Sequence, residues 1–231
     1  MFQMKIKLYG NQEFLHARRL KLHTGEAHIW KLRWRELERF WEQHNSLLDK
    51  EECQKAGHYR FYEDKMRYLA GKIAVKMLLK KYAGVDKIVL QKGKYGKLYW
   101  QAPPGQREIT FNLSHSGEWV LVIFACQQVV GIDVQEMGEI PEYIEIAENF
   151  FTEEETAEIQ ESGSPERFYQ YWAAKEAYLN ALGIGLNQGM DFFSVRRNRV
   201  IENGKVKSGW KLYPILVKDY AAYAAVQEKG R

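Results

Sequence analysis

Val130-Gly131-Ile132-Asp133-Val134-Gln135 alternates apolar residues with small or polar ones at a period of two, the pattern of a strand whose two faces differ. Ile132 and Val134 are expected to face the core, leaving Gly131, Asp133 and Gln135 together on the other face. An acid beside a glycine has two readings. It is a solvated Asp on an amphipathic strand, or it is a metal ligand with space for a ligand's phosphates, because Mg²⁺ takes one or two carboxylates and completes its shell with phosphate oxygens and water.

Working outward, Ile109, Phe111 and Leu113 alternate with Thr110, Asn112 and Ser114, and 119–125 forms a second strand before the turn at Gln127 and Gln128. Thr152 with Glu155 makes a capping box, which gives Glu155 a structural task. Ser164 as N-cap and Pro165 at the first helical position start a helix that ends at Gly183. Earlier, Met66, Leu69, Ala70, Ile73, Met77 and Leu78 recur at helical spacing over 63–82. Strands are expected over 27–34, 87–90, 192–200 and 221–227, and a short helix over 36–43. Residues 1–26 lack sustained periodicity and read as a variable or partly mobile arm. The fold class is α+β.

The 231 residues, 45% of them hydrophobic, suffice for one large domain or two small halves. A net charge of +4 suits an anionic ligand or an acidic partner but does not specify nucleic acid, and no helix or aromatic platform motif for nucleic acid is present. No run of about 18 apolar residues offers a membrane span. Residues 1–7 lack the apolar core of a signal peptide, and Cys53 and Cys126 have no metal-ligand spacing, so a cytoplasmic protein is expected.

Several residues are chemically suggestive. Lys175 lies within the apolar stripe Phe168, Tyr171, Trp172, Leu179 and Leu182, with Glu176 adjacent. Either the lysine's stem covers apolar surface while its ammonium snorkels outward, or the pair is functional. Ser114 and His115 are consecutive on a strand and point to opposite faces, which excludes a nucleophile and base pair. They remain donors for phosphate oxygens or a satisfied turn. Arg60, Asp64 and Arg67 share one helix face, ordinarily a solvated ion-pair face. Lys94, Gly96 and Lys97 sit in a glycine-bearing turn that lacks the spacing of a P-loop.

The order of these elements resembles the Sfp-type 4'-phosphopantetheinyl transferases from about residue 55 to about residue 196. Arg60-Phe61 with Asp64-Lys65-Met66-Arg67-Tyr68-Leu69-Ala70-Gly71, Tyr95-Gly96-Lys97, and Phe111-Asn112-Leu113-Ser114-His115-Ser116-Gly117 carry the likeness. Val130-Gly131-Ile132-Asp133-Val134, Phe150-Phe151 and Trp172-Ala173-Ala174-Lys175-Glu176-Ala177 follow in family order.

The resemblance implies two similar α/β halves related by a pseudo-twofold axis, 1–126 and 127–231, with coenzyme A in the cleft between them. It also implies a Mg²⁺-dependent enzyme that moves phosphopantetheine from coenzyme A to a serine of an apo acyl or peptidyl carrier protein and releases 3',5'-ADP. The enzyme would act as a monomer. Asp133 and Glu176 match the metal-binding acids, with Gln135 on the same strand face as a neutral ligand or holder of metal-bound water. Lys175 matches a pyrophosphate-side lysine, and Glu176 or a water it orients would take the serine proton. Ser114, His115, Gly96, Lys97, Arg60 and Arg67 match coenzyme A contacts. Three departures stand out: Leu98 where proline usually follows Gly-Lys, Gln135 where a second acid is usual, and Asn180 where a second helix lysine is common. A protein that binds coenzyme A or a nucleotide without catalysis is the alternative these departures leave open.

Overall fold

The computed structural model describes residues 4–228, and their backbone forms two compact units: Met4–Gln91 with Leu98–Gln127, and Lys92–Lys97 with 128–228. In the first unit, β1 (Lys5–Tyr9), α1 (Asn11–His16), β2 (Glu26–Arg33), α2 (Glu38–Gln43), α3 (Lys50–Gly57) and α4 (Tyr62–Ala83) precede β3 (Leu90–Lys92), β4 (Leu98–Trp100), β5 (Ile109–Ser116) and β6 (Trp119–Cys126). The main sheet runs β1-β2-β6-β5. Its β-branched and aromatic residues, with Val120, Val122 and Phe124 fully buried, meet the apolar side of α4 to make one core. Asp49 starts α3 with a reciprocal capping box to Glu52, and left-handed Gly84 ends α4.

The second unit contains β7 (Val130–Glu136), α5 (Tyr143–Phe150), α6 (Glu153–Ser162), α7 (Pro165–Leu182), β8 (Phe193–Arg196), β9 (Arg199–Glu202), β10 (Lys205–Val206), β11 (Trp210–Pro214) and β12 (Tyr220–Gln227). One sheet runs β11-β12-β7 and another β10-β9-β8. The core between α7 and the strands holds Tyr178, Phe193, Trp210 and Leu212. Thr152 accepts from the Glu155 amide at the start of α6, Ser164 accepts from the Glu166 amide at the start of α7, and Gly183 closes α7 at φ 74°.

Three expectations are corrected. Residues 1–26 do not form a loose arm where the structure describes them: β1 pairs in parallel with β2 from Lys5↔Glu26 to Tyr9↔Trp30, and Phe14 of α1 is fully buried. A five-residue edge strand and a six-residue helix are too short to show periodicity, and their partners lie farther along the chain. The strand expected over 192–200 is a hairpin. Arg197 and Asn198 both take positive φ, 49° and 60°, and reverse the chain between β8 and β9 without the glycine that normally announces such a turn. The strand expected over 87–90 forms instead at 90–92, where it pairs with β4 in a two-stranded sheet.

Candidate active site

Gly131 decides how α7 sits on β7. A Cβ there would lie 2.1 Å from the Ala177 carbonyl oxygen and 2.3 Å from the Ala181 nitrogen, so only glycine permits this approach. The alternation along β7 is as expected, but the face carrying Gly131 and Asp133 is the one packed on the helix. The space beside Gly131 is taken by helix backbone rather than left for phosphates. Ile132 and Val134, fully buried, occupy the opposite face.

Two further contacts set the register. Lys97 Nζ donates to the carbonyls of Val130 (3.1 Å) and Ala181 (2.8 Å), and Asn180 Nδ2 donates to the Ile132 carbonyl (3.1 Å). Residues 130 to 132 thus meet α7 near its C-terminal end. Glu176 stands about one turn before Asn180 on that helix, and Asp133 directly follows Ile132 on the strand.

Asp133 is 2% exposed and accepts a hydrogen bond from Gln135 Nε2 at 3.1 Å. Burial pushes the Glu176 carboxyl above its ordinary range. Two desolvated carboxylates and an amide on facing elements suit a hard divalent cation better than a thiol- or imidazole-loving one. Among the described residues no three His, Cys, Asp or Glu side chains gather as a metal cluster, so phosphate and water would have to complete a cation's shell here.

Lys175 is placed differently from what the resemblance implies. Lys175 neither snorkels nor reaches out to a phosphoryl group. It is fully buried, with Nζ 2.6 Å from Glu155 Oε2 and 2.5 Å from the Phe193 carbonyl it donates to, above the Phe193 ring. Glu155 Oε1 accepts from the Val195 amide at 2.7 Å. The capping residue of α6 therefore ties together α6, α7 and β8. Burial pulls the Lys175 ammonium below its ordinary range, and Glu155 opposes that shift. Lys97 spends two of its three donors on the backbone of β7 and α7, and burial lowers its pKa to about 8. Gly96 holds φ 86° with open space around it. Asn180, which stands where the family commonly has a lysine, is a register contact that its residue type alone did not reveal.

In the first unit, His115 and Leu113 face α4, where both approach Gly71, so Ser114 lies on the other face of β5, as strand geometry required. Burial lowers the His115 pKa, and the Arg67 charge lowers it further. Arg67 does not face outward as a free cation: it donates to the Gly117 carbonyl at 2.9 Å and pairs with Asp64. Arg60 is exposed, with its guanidinium 5.3 Å from the Phe61 ring.

Asp133 is a buried acid on β7, Glu176 a half-buried acid on α7, and Gly131 lets the two elements pack closely. The chain belongs to the 4'-phosphopantetheinyl transferase superfamily. Residues 129–224 match that superfamily's model, and residues 32–128 match the model of the 4'-phosphopantetheinyl transferase N-terminal region. The chain is 32% identical over 160 residues to the 4'-phosphopantetheinyl transferase Sfp of Bacillus subtilis strain 168, covering 67% of this chain and 69% of that protein. It is 33% identical over 159 residues to a phosphopantetheinyl transferase of Thraustochytrium, covering 62% of this chain and 55% of that protein. A rat L-aminoadipate-semialdehyde dehydrogenase-phosphopantetheinyl transferase is 30% identical over 152 residues, 60% of this chain and 49% of its own length. The match thus spans from about half to 69% of these relatives' own lengths.

Proposed function

We propose that this chain transfers the 4'-phosphopantetheine group of coenzyme A to a serine of an apo acyl or peptidyl carrier protein in a Mg²⁺-dependent reaction that releases 3',5'-ADP. The carrier Oγ forms a bond to the phosphorus nearest pantetheine, and the bond from that phosphorus to the bridging oxygen breaks. The oxygen leaves with 3',5'-ADP. The observation that supports this reading is that the two family matches, to the superfamily model and to its N-terminal region, abut at residues 128 and 129 and together span 32–224.

Asp133 and Glu176 would hold Mg²⁺, with Gln135 as a neutral third group, and a bound Mg²⁺ neutralises charge growing on the leaving pyrophosphate oxygen. Gln135 steadies the buried Asp133 carboxylate by its amide hydrogen bond. Glu176, whose burial favours the protonated form, takes the serine proton directly or through a water it orients. Lys175 serves as a positioning residue: its pairing with Glu155 fixes the turn of α7 that carries Glu176. His115 and Arg60 are proposed contacts for the substrate's phosphates. Among the described residues no helix is long and apolar enough to cross a membrane.

Incubation with coenzyme A, Mg²⁺ and a panel of apo carriers, read by intact mass, tests the reading. A phosphopantetheine mass gain that EDTA abolishes is the expected result. Coenzyme A binding with every carrier unmodified would instead favour a non-catalytic binding protein, the alternative that the amide of Gln135 and the backbone-bound Asn180 keep open.

A further inference from the structure

On the β12 side of α7, a cavity of about 550 Å³ opens between the middle of that helix, α6 and the β8–β9 turn. Neither Asp133 nor Glu176 lines it. Its wall carries three guanidinium groups, Arg167, Arg196 and Arg197, against one carboxylate, Glu158. Arg196 pairs with Glu154 at 2.8 Å, and Glu158 is engaged by the Tyr171 hydroxyl, which donates to it at 2.5 Å. Among the described residues neither Arg167 nor Arg197 has a carboxylate within ion-pair distance. Two unpaired guanidinium groups thus face one basin.

The basin is shaped for more than a stray counterion. Tyr171 and Tyr223 form its aromatic sides, on the same wall as Arg167. Arg197 is held in the left-handed region at φ 49°, where glycine or asparagine would be less strained, and the Asn198 carbonyl beside it accepts from the Leu212 amide at 3.0 Å.

We propose that this cavity is a binding site for an acidic peptide segment that presents two or more carboxylates. Its donors are side chains set apart on a helix and a turn. The helical residues lining it start at the third residue of α7, and the helix's first turn is already capped by Ser164, so no nest of backbone N–H groups is offered to a single phosphate. Separated guanidinium forks match carboxylates spaced along a chain, and the volume exceeds what one inorganic anion needs. The proposal is independent of the transferase reading, because it is tested by binding alone.

The test is fluorescence anisotropy of the full chain with a labelled decapeptide of alternating Glu and Ala, alongside the same peptide with Gln for Glu and with inorganic phosphate as competitor. The Glu peptide should bind and the Gln peptide should not. Arg167→Gln and Arg197→Gly should each weaken binding by about tenfold or more, the loss expected for one charge-assisted contact. Lys211→Gln, outside the cavity, should change affinity by less than about twofold. Because Arg197→Gly relieves backbone strain, its melting temperature should not fall, which separates lost binding from lost folding. Equal binding of both peptides, unchanged affinity in both arginine variants, a Lys211→Gln loss as large as theirs, or phosphate binding more tightly than the peptide would each overturn the proposal.

Discussion

Gly131→Ala tests the claim that close approach of α7 to β7 builds the site. The new Cβ would fall 2.1 Å, 2.3 Å and 2.8 Å from the Ala177 oxygen, the Ala181 nitrogen and the Ala181 Cα. Ordinary contact begins near 3.4 Å, so the helix and strand must separate by about 1 Å, and no flexible side chain can absorb the change because every clashing atom is backbone. Overpacking of this kind costs roughly 1–3 kcal/mol, and a backbone clash belongs at the upper end. For a chain of this size about 3 kcal/mol corresponds to a fall in melting temperature of about 6–12 °C. The displaced helix also carries Glu176 away from Asp133, and a misplacement of about 1 Å costs up to about 100-fold in rate. Thermal melts and a magnesium titration of carrier labelling measure the two effects. Gly71→Ala is the control: its Cβ would meet only the Leu113 Cδ1 atom at 3.0 Å and the neighbouring side chains, which can give way. A Gly131→Ala protein melting within about 2 °C of wild type would refute the reasoning.

Glu176→Gln should abolish transfer yet raise the melting temperature of the metal-free protein at neutral pH. The fold raises this carboxyl above 4.5, so its contribution to stability is complete below that pH and lost as pH rises through the folded value; the advantage of Gln, measured by melts in EDTA, should vanish below about pH 4.5. Lys175→Met should cost about 3–5 kcal/mol by stranding the Glu155 carboxylate, whereas Lys175→Met with Glu155→Gln should recover much of it; denaturant melts of both decide, and a single variant as stable as wild type would remove the buried pair from the account. Lys97 titrates near 8 in the fold and near 10.5 outside it, so wild type should gain stability relative to Lys97→Met as pH rises from 8 to 10, and parallel melting curves over that window would contradict the burial seen here. Gln135→Glu should lower the magnesium concentration for half-maximal labelling, and an unmoved midpoint would place Gln135 outside the metal's reach.

What the sequence made legible follows a physical division. Caps and alternation are local, so Thr152 with Glu155, Ser164 with Pro165, and the pairing face shared by Gly131 and Asp133 could be read from spacing alone. The polarity of that face could not. Ile132 and Gly131 are both fully compatible with a buried position, and only the missing Cβ, set against a helix some 45 residues later, decides which side receives α7. Lys175 shows the same limit from the other direction. A lysine in an apolar stripe was visible, as was a capping glutamate 20 residues earlier, but each had a sufficient local explanation, snorkelling for one and capping for the other. Their union depends on how α6 packs on α7. Once packed, the arrangement has a consequence for function: of the three charged side chains around this turn of α7, Lys175 and Glu155 neutralise each other in the interior, while Glu176 is left with a burial cost that a bound cation would offset. The same helix turn thus carries a closed ion pair for its own placement and a carboxylate outside that pair, and on the proposed reading it is the latter whose substitution should separate activity from stability.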